Sequence, residues 1–152
     1  MTGIRLYSDL SLVFAGILLI STPSVWAQSA DAANADNTGD RWEAFSTTAQ
    51  SITGDIILEP NSITMGSGSV LQIEPVPGDV PKLYRFTGAE HLRLIRDNSL
   101  CGPDTTDGYL VLASPGDNML EIDVFDGDPP PGSVENMQSL PNFCASYIYD
   151  RP

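Results

Sequence analysis

The chain is poor in the residues that most enzymes use for proton and group transfer. It has one histidine, His91, one lysine, Lys82, and two cysteines, Cys101 and Cys144. A Ser-His-Asp or Cys-His arrangement would have to recruit His91, which sits in AEHLRLIRD beside an apolar run, a setting typical of a surface or packing residue. No S-x-x-K surrounds Lys82, so acyl-serine chemistry of that type has no support. The GSGSV at 66–70 lacks the G-x-S-x-G spacing of a nucleophile elbow, the DTT at 104–106 is not the D-T-G of an aspartic protease, and no G-x-x-x-x-G-K cradles a phosphate. One histidine and two cysteines do not make an N/S zinc site. Positive charge is scarce too, and the formal net charge of −13 repels nucleic acid and anionic lipid surfaces.

Long hydrophobic runs are also missing. The longest, Leu10–Ile20, is shorter than the roughly 20 residues a bilayer span needs. It follows Arg5 and precedes Pro23 and a Val25-Trp26-Ala27 ending, the layout of a secretory signal peptide cut after Ala27. This predicts a signal peptide over 1–27 and a periplasmic or secreted location, with no membrane insertion after cleavage. No cysteine lies near the cut, which closes the lipoprotein route. The remainder, about 125 residues, suits one domain with one modest core. Arg5 and Asp9 leave together, so the mature balance stays at −13.

In an exported chain an even pair of cysteines reads as one disulfide, Cys101 with Cys144, because that compartment is oxidising. Residues 28–41 hold small and polar side chains without a large apolar one, and predict a disordered acidic lead-in to a β domain over 42–152. From Trp42 to Ser51 two readings compete. Asp40 and Glu43 could cap a short helix with Trp42, Phe45 and Ala49 on one face, whereas Ser46, Thr47 and Thr48 suit a strand or loop.

Strand patterns follow. Ile52, Ile56 and Leu58 alternate through ITGDIILEP, and SITM, a GSGS turn and VLQIEPV resemble two hairpin-connected strands. KLYRFTG comes next, with Leu83 and Phe86 off strict alternation, and then HLRLIRD. YLVLA and MLEIDVF, joined by SPGDN, form the strongest hairpin, with Leu120, Ile122 and Val124 on one face. DGDPPPGS is an acidic, proline-rich loop that cannot join a central strand. In the closing NFCASYIYD, alternation puts Phe143, Ala145, Tyr147 and Tyr149 on one side. The expected fold is all-β: one small antiparallel β-barrel or β-sandwich of about 7–8 strands with one disulfide.

Carboxylates are the abundant functional group. Asp104 and Asp107 in PDTTDG, and Asp123, Asp126 and Asp128 in DVFDGDPPPG, offer hard oxygen ligands to calcium, but neither stretch has the spacing of a calcium loop. Turns recruit aspartate for their own hydrogen bonds. Seven aromatics, Trp42, Phe45, Tyr84, Phe86, Phe143, Tyr147 and Tyr149, suit a core.

The runs FSTTAQSITGDIIL at 45–58, LCG at 100–102, VFDGDPP at 124–130 and the terminal FCASYIY resemble a family of small exported proteobacterial proteins with no established activity. That resemblance implies export and one disulfide, and contributes no catalytic residue. In size, export and disulfide use the chain is also similar to small β-barrel inhibitors of lysozyme and of secreted proteases, as an analogy of architecture only. The residues therefore point to a non-catalytic binding module for a cationic protein, with no catalytic, cofactor-binding or metal residue assigned. A carboxylate-dependent cell-envelope hydrolase is the alternative, and a calcium-stabilised structural module the second.

Overall fold

The computed structural model describes residues 39–152. The expected signal peptide, and the lead-in up to residue 38, lie outside the described residues. Eight strands form a closed antiparallel barrel in sequence order: β1 (Asp40–Ala44), β2 (Ile56–Glu59), β3 (Ser62–Thr64), β4 (Val70–Pro75), β5 (Leu83–Thr87), β6 (Asp107–Ala113), β7 (Met119–Asp126) and β8 (Phe143–Asp150). β8 closes on β1 through Ala44↔Tyr149 and Glu43↔Asp150, so no strand edge is left unpaired. β1 starts at Asp40 rather than at Trp42, because Asp40 and Arg41 already pair with Leu58 and Ile57.

Alternation along each strand sends one set of side chains inward. Ile56, Ile63, Leu71, Ile73, Phe86, Leu110, Ile122, Val124, Tyr147 and Tyr149 are almost fully buried in one core. Eight strands give an interior that side chains just fill. A void of about 10 Å³ lies among Thr53, Ile63, Leu110 and Tyr147, about enough for one water. The buried phenols have partners: Tyr149 Oη shares a hydrogen bond with Thr53 Oγ1 at 2.8 Å, and Tyr147 Oη donates to the Leu100 carbonyl. Burial pushes both tyrosine pKa values up, since a phenolate has no water there. Gly108 faces Phe86 across the ladder, and a Cβ at that position would fall 2.8 Å from the Phe86 ring.

Residues 42–51 follow neither reading as drawn: Trp42, expected on a helix face, lies in β1, and Thr47 and Thr48, expected in a strand or loop, lie in a helix. β1 ends at Ala44, and a helix, α1 (Thr47–Ile52), turns back across the end of the barrel. Its cap is Ser46 rather than Asp40. The Ser46 hydroxyl accepts from Ala49 N–H at 3.2 Å and from Ile148 N–H at 3.1 Å, so one side chain both caps the helix and pins it to β8. Ile52 consequently belongs to the helix and not to the strand that the alternation predicts. HLRLIRD forms no strand either. It makes two short 3₁₀ turns, Ala89–His91 and Ile95–Asp97, and with α1 it closes this end by burying Leu94 and Leu100.

Two other departures come from faces rather than elements. Leu83 and Phe86 are both buried, but in different clusters: Phe86 points into the barrel, while Leu83 joins Val80, Tyr109, Val111 and Phe125 in a second core on the outer wall. A register shift at Val124/Phe125 leaves Cys144 as the extra residue of β8, with Ala145 opposite Val124 and Phe143 opposite Phe125. One extra residue reverses the facing of everything before it. Phe143 therefore packs outside, edge-on to Phe125 at 5.7 Å, and not with Tyr147 and Tyr149 as alternation predicts. The proline-rich segment after β7 folds over this outer core, where Met137 and Leu140 cover it.

Candidate functional site

The filled interior leaves the two ends and the outer wall for recognition. At the end closed by α1, the β6–β7 ladder brings both acidic loops together. Gly108 pairs with Asp126, and Gly127 N–H donates to the Asp107 carbonyl at 3.0 Å. PDTTDG enters β6 and DGDPPPG leaves β7, so Asp104, Asp107, Asp126 and Asp128 share one end of the sheet. The Cys101–Cys144 disulfide fastens the same end, with Cα atoms 5.4 Å apart, tying the segment before PDTTDG to the start of β8.

The four side chains do not converge on a common point. Asp107 is held by Arg85 at 3.0 Å, and Asp128 accepts from Tyr109 Oη at 2.7 Å. The Asp128 carboxylate holds the Tyr109 proton and raises its pKa, and Asp107 does the same for Arg85. Asp104 and Asp126 are exposed, and among the described residues no donor is hydrogen-bonded to their carboxylates. Among the described residues, no group of three or more histidine, cysteine, aspartate or glutamate side chains is placed to hold a metal ion.

Asp123, grouped with Asp126 and Asp128 by sequence, lies elsewhere. It faces the outer wall with only 1% of its surface exposed, under the segment that follows β7. Gln138 Nε2 donates to Asp123 Oδ1 at 3.1 Å and to Glu121 Oε1 at 3.3 Å, and Ser146 Oγ donates to Glu121 at 2.8 Å. Burial, with the neighbouring Glu121 charge, pushes the Asp123 carboxyl above the usual carboxylate range. The pair borders an open recess of about 360 Å³ that Val134, Asn136 and Met137 also line. The period-2 spacing of Glu121 and Asp123 was visible in the sequence. Their burial was not, because it depends on where Gln138 lands.

The opposite end is a shallow mouth of about 280 Å³. Trp42, Leu58, Tyr84, Leu112 and Leu120 form its floor, and Asp40, Lys82, Asp117 and Arg151 stand on its rim. The Arg151 guanidinium lies over the Trp42 ring at 4.9 Å and reaches Asp40 at 3.6 Å. Lys82 adopts a left-handed backbone, φ 52°, and its carbonyl accepts from Leu112 N–H at 3.2 Å. Trp42 Nε1 is buried without a hydrogen-bond partner among the described residues. Sequence reasoning passed over this mouth because its parts come from five separate segments.

His91 is 82% exposed on its 3₁₀ turn, 3.3 Å from Glu90. The seven aromatics gather at no single surface: Trp42, Phe86, Tyr147 and Tyr149 are core, Tyr84 packs half-buried against it, Phe143 packs on the outer wall, and Phe45 is 60% exposed. Comparison of the chain with protein-family models, with characterised proteins and with solved structures finds no match.

Proposed function

We propose that the chain is an exported, non-catalytic binding module that docks a cationic macromolecule on the acidic end of its barrel, as a barrel-shaped inhibitor would. The observation that carries this reading is the pairing of β6 with β7, which sets two acidic loops side by side on a disulfide-fastened end. A net charge of −13 draws a basic partner in from a distance, and electrostatic complementarity acts mainly on the encounter rate. The filled barrel supports the same reading, because a macromolecular partner needs a rigid outer surface and no internal cavity. Capture from envelope extract at low and moderate salt tests it. The immobilised chain should retain a basic protein that moderate salt releases, and Asp104→Asn/Asp126→Asn should retain less of it. Equal retention by the two would refute the docking face.

The alternative, a carboxylate-dependent hydrolase of the cell envelope, is favoured by one observation, the buried Asp123 beside Glu121, with its pKa raised by burial and by that neighbouring charge. The two carboxyls are neighbours on one strand, joined by the Gln138 amide, and are not opposed across a cleft as a glycosidase pair would be. Release of soluble fragments from purified envelope glycan by the chain, lost in Asp123→Asn, would establish this alternative.

A further inference from the structure

We infer that the open mouth of the barrel binds a small amphiphile with an apolar body and one anionic head. Three independent features coincide there. The first is shape and lining: the apolar side chains of Trp42, Leu58, Tyr84, Leu112 and Leu120 form its floor. Its volume of about 280 Å³ falls just below the roughly 300 Å³ at which pockets for drug-sized ligands begin, so the ligand is a short one.

The second feature is charge. Most of the surface repels an anion, yet two of the few basic side chains stand on this rim. Lys82 has no carboxylate within ion-pair distance among the described residues, and Arg151 holds Asp40 only across an exposed 3.6 Å contact. Arg151 is thus free to exchange an exposed carboxylate for a ligand's head group, which would uncover the indole face on which it now rests. An apolar body would take its place against Trp42.

The third feature is unresolved cost. Lys82 is held in a backbone conformation that glycine or asparagine adopts more readily, which costs the fold some stability. Trp42, whose side chain floors the mouth, carries a buried Nε1–H with no acceptor among the described residues. A buried donor without a partner destabilises the free protein.

The test is a titration of the full chain, labelled with nitrogen-15, with octanoate, using octanol and octylammonium as controls. Octanoate should shift the Trp42 indole N–H signal saturably, and bind about tenfold more tightly than octanol, the gain expected from two partly exposed cations. Octylammonium should bind no better than octanol. Lys82→Asn, which accepts the same backbone, and Arg151→Gln should each weaken octanoate binding about threefold while leaving octanol unchanged. The inference is overturned by any of three results: no saturable shift up to about 10 mM octanoate, equal affinity for octanoate and octanol, or full octanoate affinity in both variants.

Discussion

Removing one cysteine tests how the acidic end is held. Cys101 and Cys144 are 43 residues apart in sequence, and closing a loop of that length restricts the unfolded chain by about 4 kcal/mol at 25 °C. Net stability of a domain this size is on the order of 5–15 kcal/mol, so the link supplies a large share of it. Cys101→Ser should lower the melting temperature by roughly 12–20 °C, followed by far-UV circular dichroism. Cys144→Ser should do the same, and the double variant should be no worse than either single variant, because all three delete the same link. The loss should be felt first around Leu100, which plugs the barrel one residue before Cys101 and whose carbonyl holds Tyr147. Amide exchange should therefore accelerate in the 92–101 segment before it does in β6 and β7. Singles whose costs add in the double variant, or a loss under about 1 kcal/mol, would refute the clamp as a single constraint on the unfolded chain.

Three further outcomes follow from the packing. Gly108→Ala drives a methyl group against the Phe86 ring and the Phe125 backbone inside a closed ladder, and should cost about 3 kcal/mol or more in denaturant unfolding; a loss below 1 would mean that the ladder yields there. Ser46→Ala removes the cap of α1 and its tie to β8 together, and should cost about 1–2 kcal/mol, with Ser46→Thr recovering most of it. Asp123 has a folded-state pKa above its unfolded one, so the folded protein binds the extra proton and this residue's contribution falls as pH rises through that window. Asp123→Asn should accordingly stabilise the protein at neutral pH by an amount that disappears as pH drops below the unfolded carboxylate range; a gain independent of pH would contradict the assignment.

The parts of the fold visible in the sequence are those governed by strict alternation. YLVLA–SPGDN–MLEIDVF is the β6–β7 hairpin, and Leu120, Ile122 and Val124 share the interior face as the period-2 pattern requires. Closure was not visible, because whether β8 meets β1 depends on accumulated twist and shear rather than on any local residue. The bulge at Cys144 was hidden for a similar reason: sequence alternation runs through it without interruption, and only the partner strand reveals the extra residue. HLRLIRD misled because Leu94 is buried by its place over the barrel end and not by a sheet. For the acidic end, the two aspartate-bearing loops stood out by composition, but their adjacency needed the β6–β7 register. The mouth had no local signature at all.

The proposed docking of a basic protein on the acidic end of the barrel is tested by the affinity of the captured partner for wild type and for Asp104→Asn/Asp126→Asn, measured across a range of salt concentrations. Both side chains are exposed and accept no hydrogen bond among the described residues, so the double variant should fold and melt as the wild type does. Wild-type affinity should fall as salt rises, and the variant should bind more weakly at low salt with a shallower dependence, the two curves meeting at high salt. Equal affinity at every salt concentration, with both proteins folded, would contradict the account.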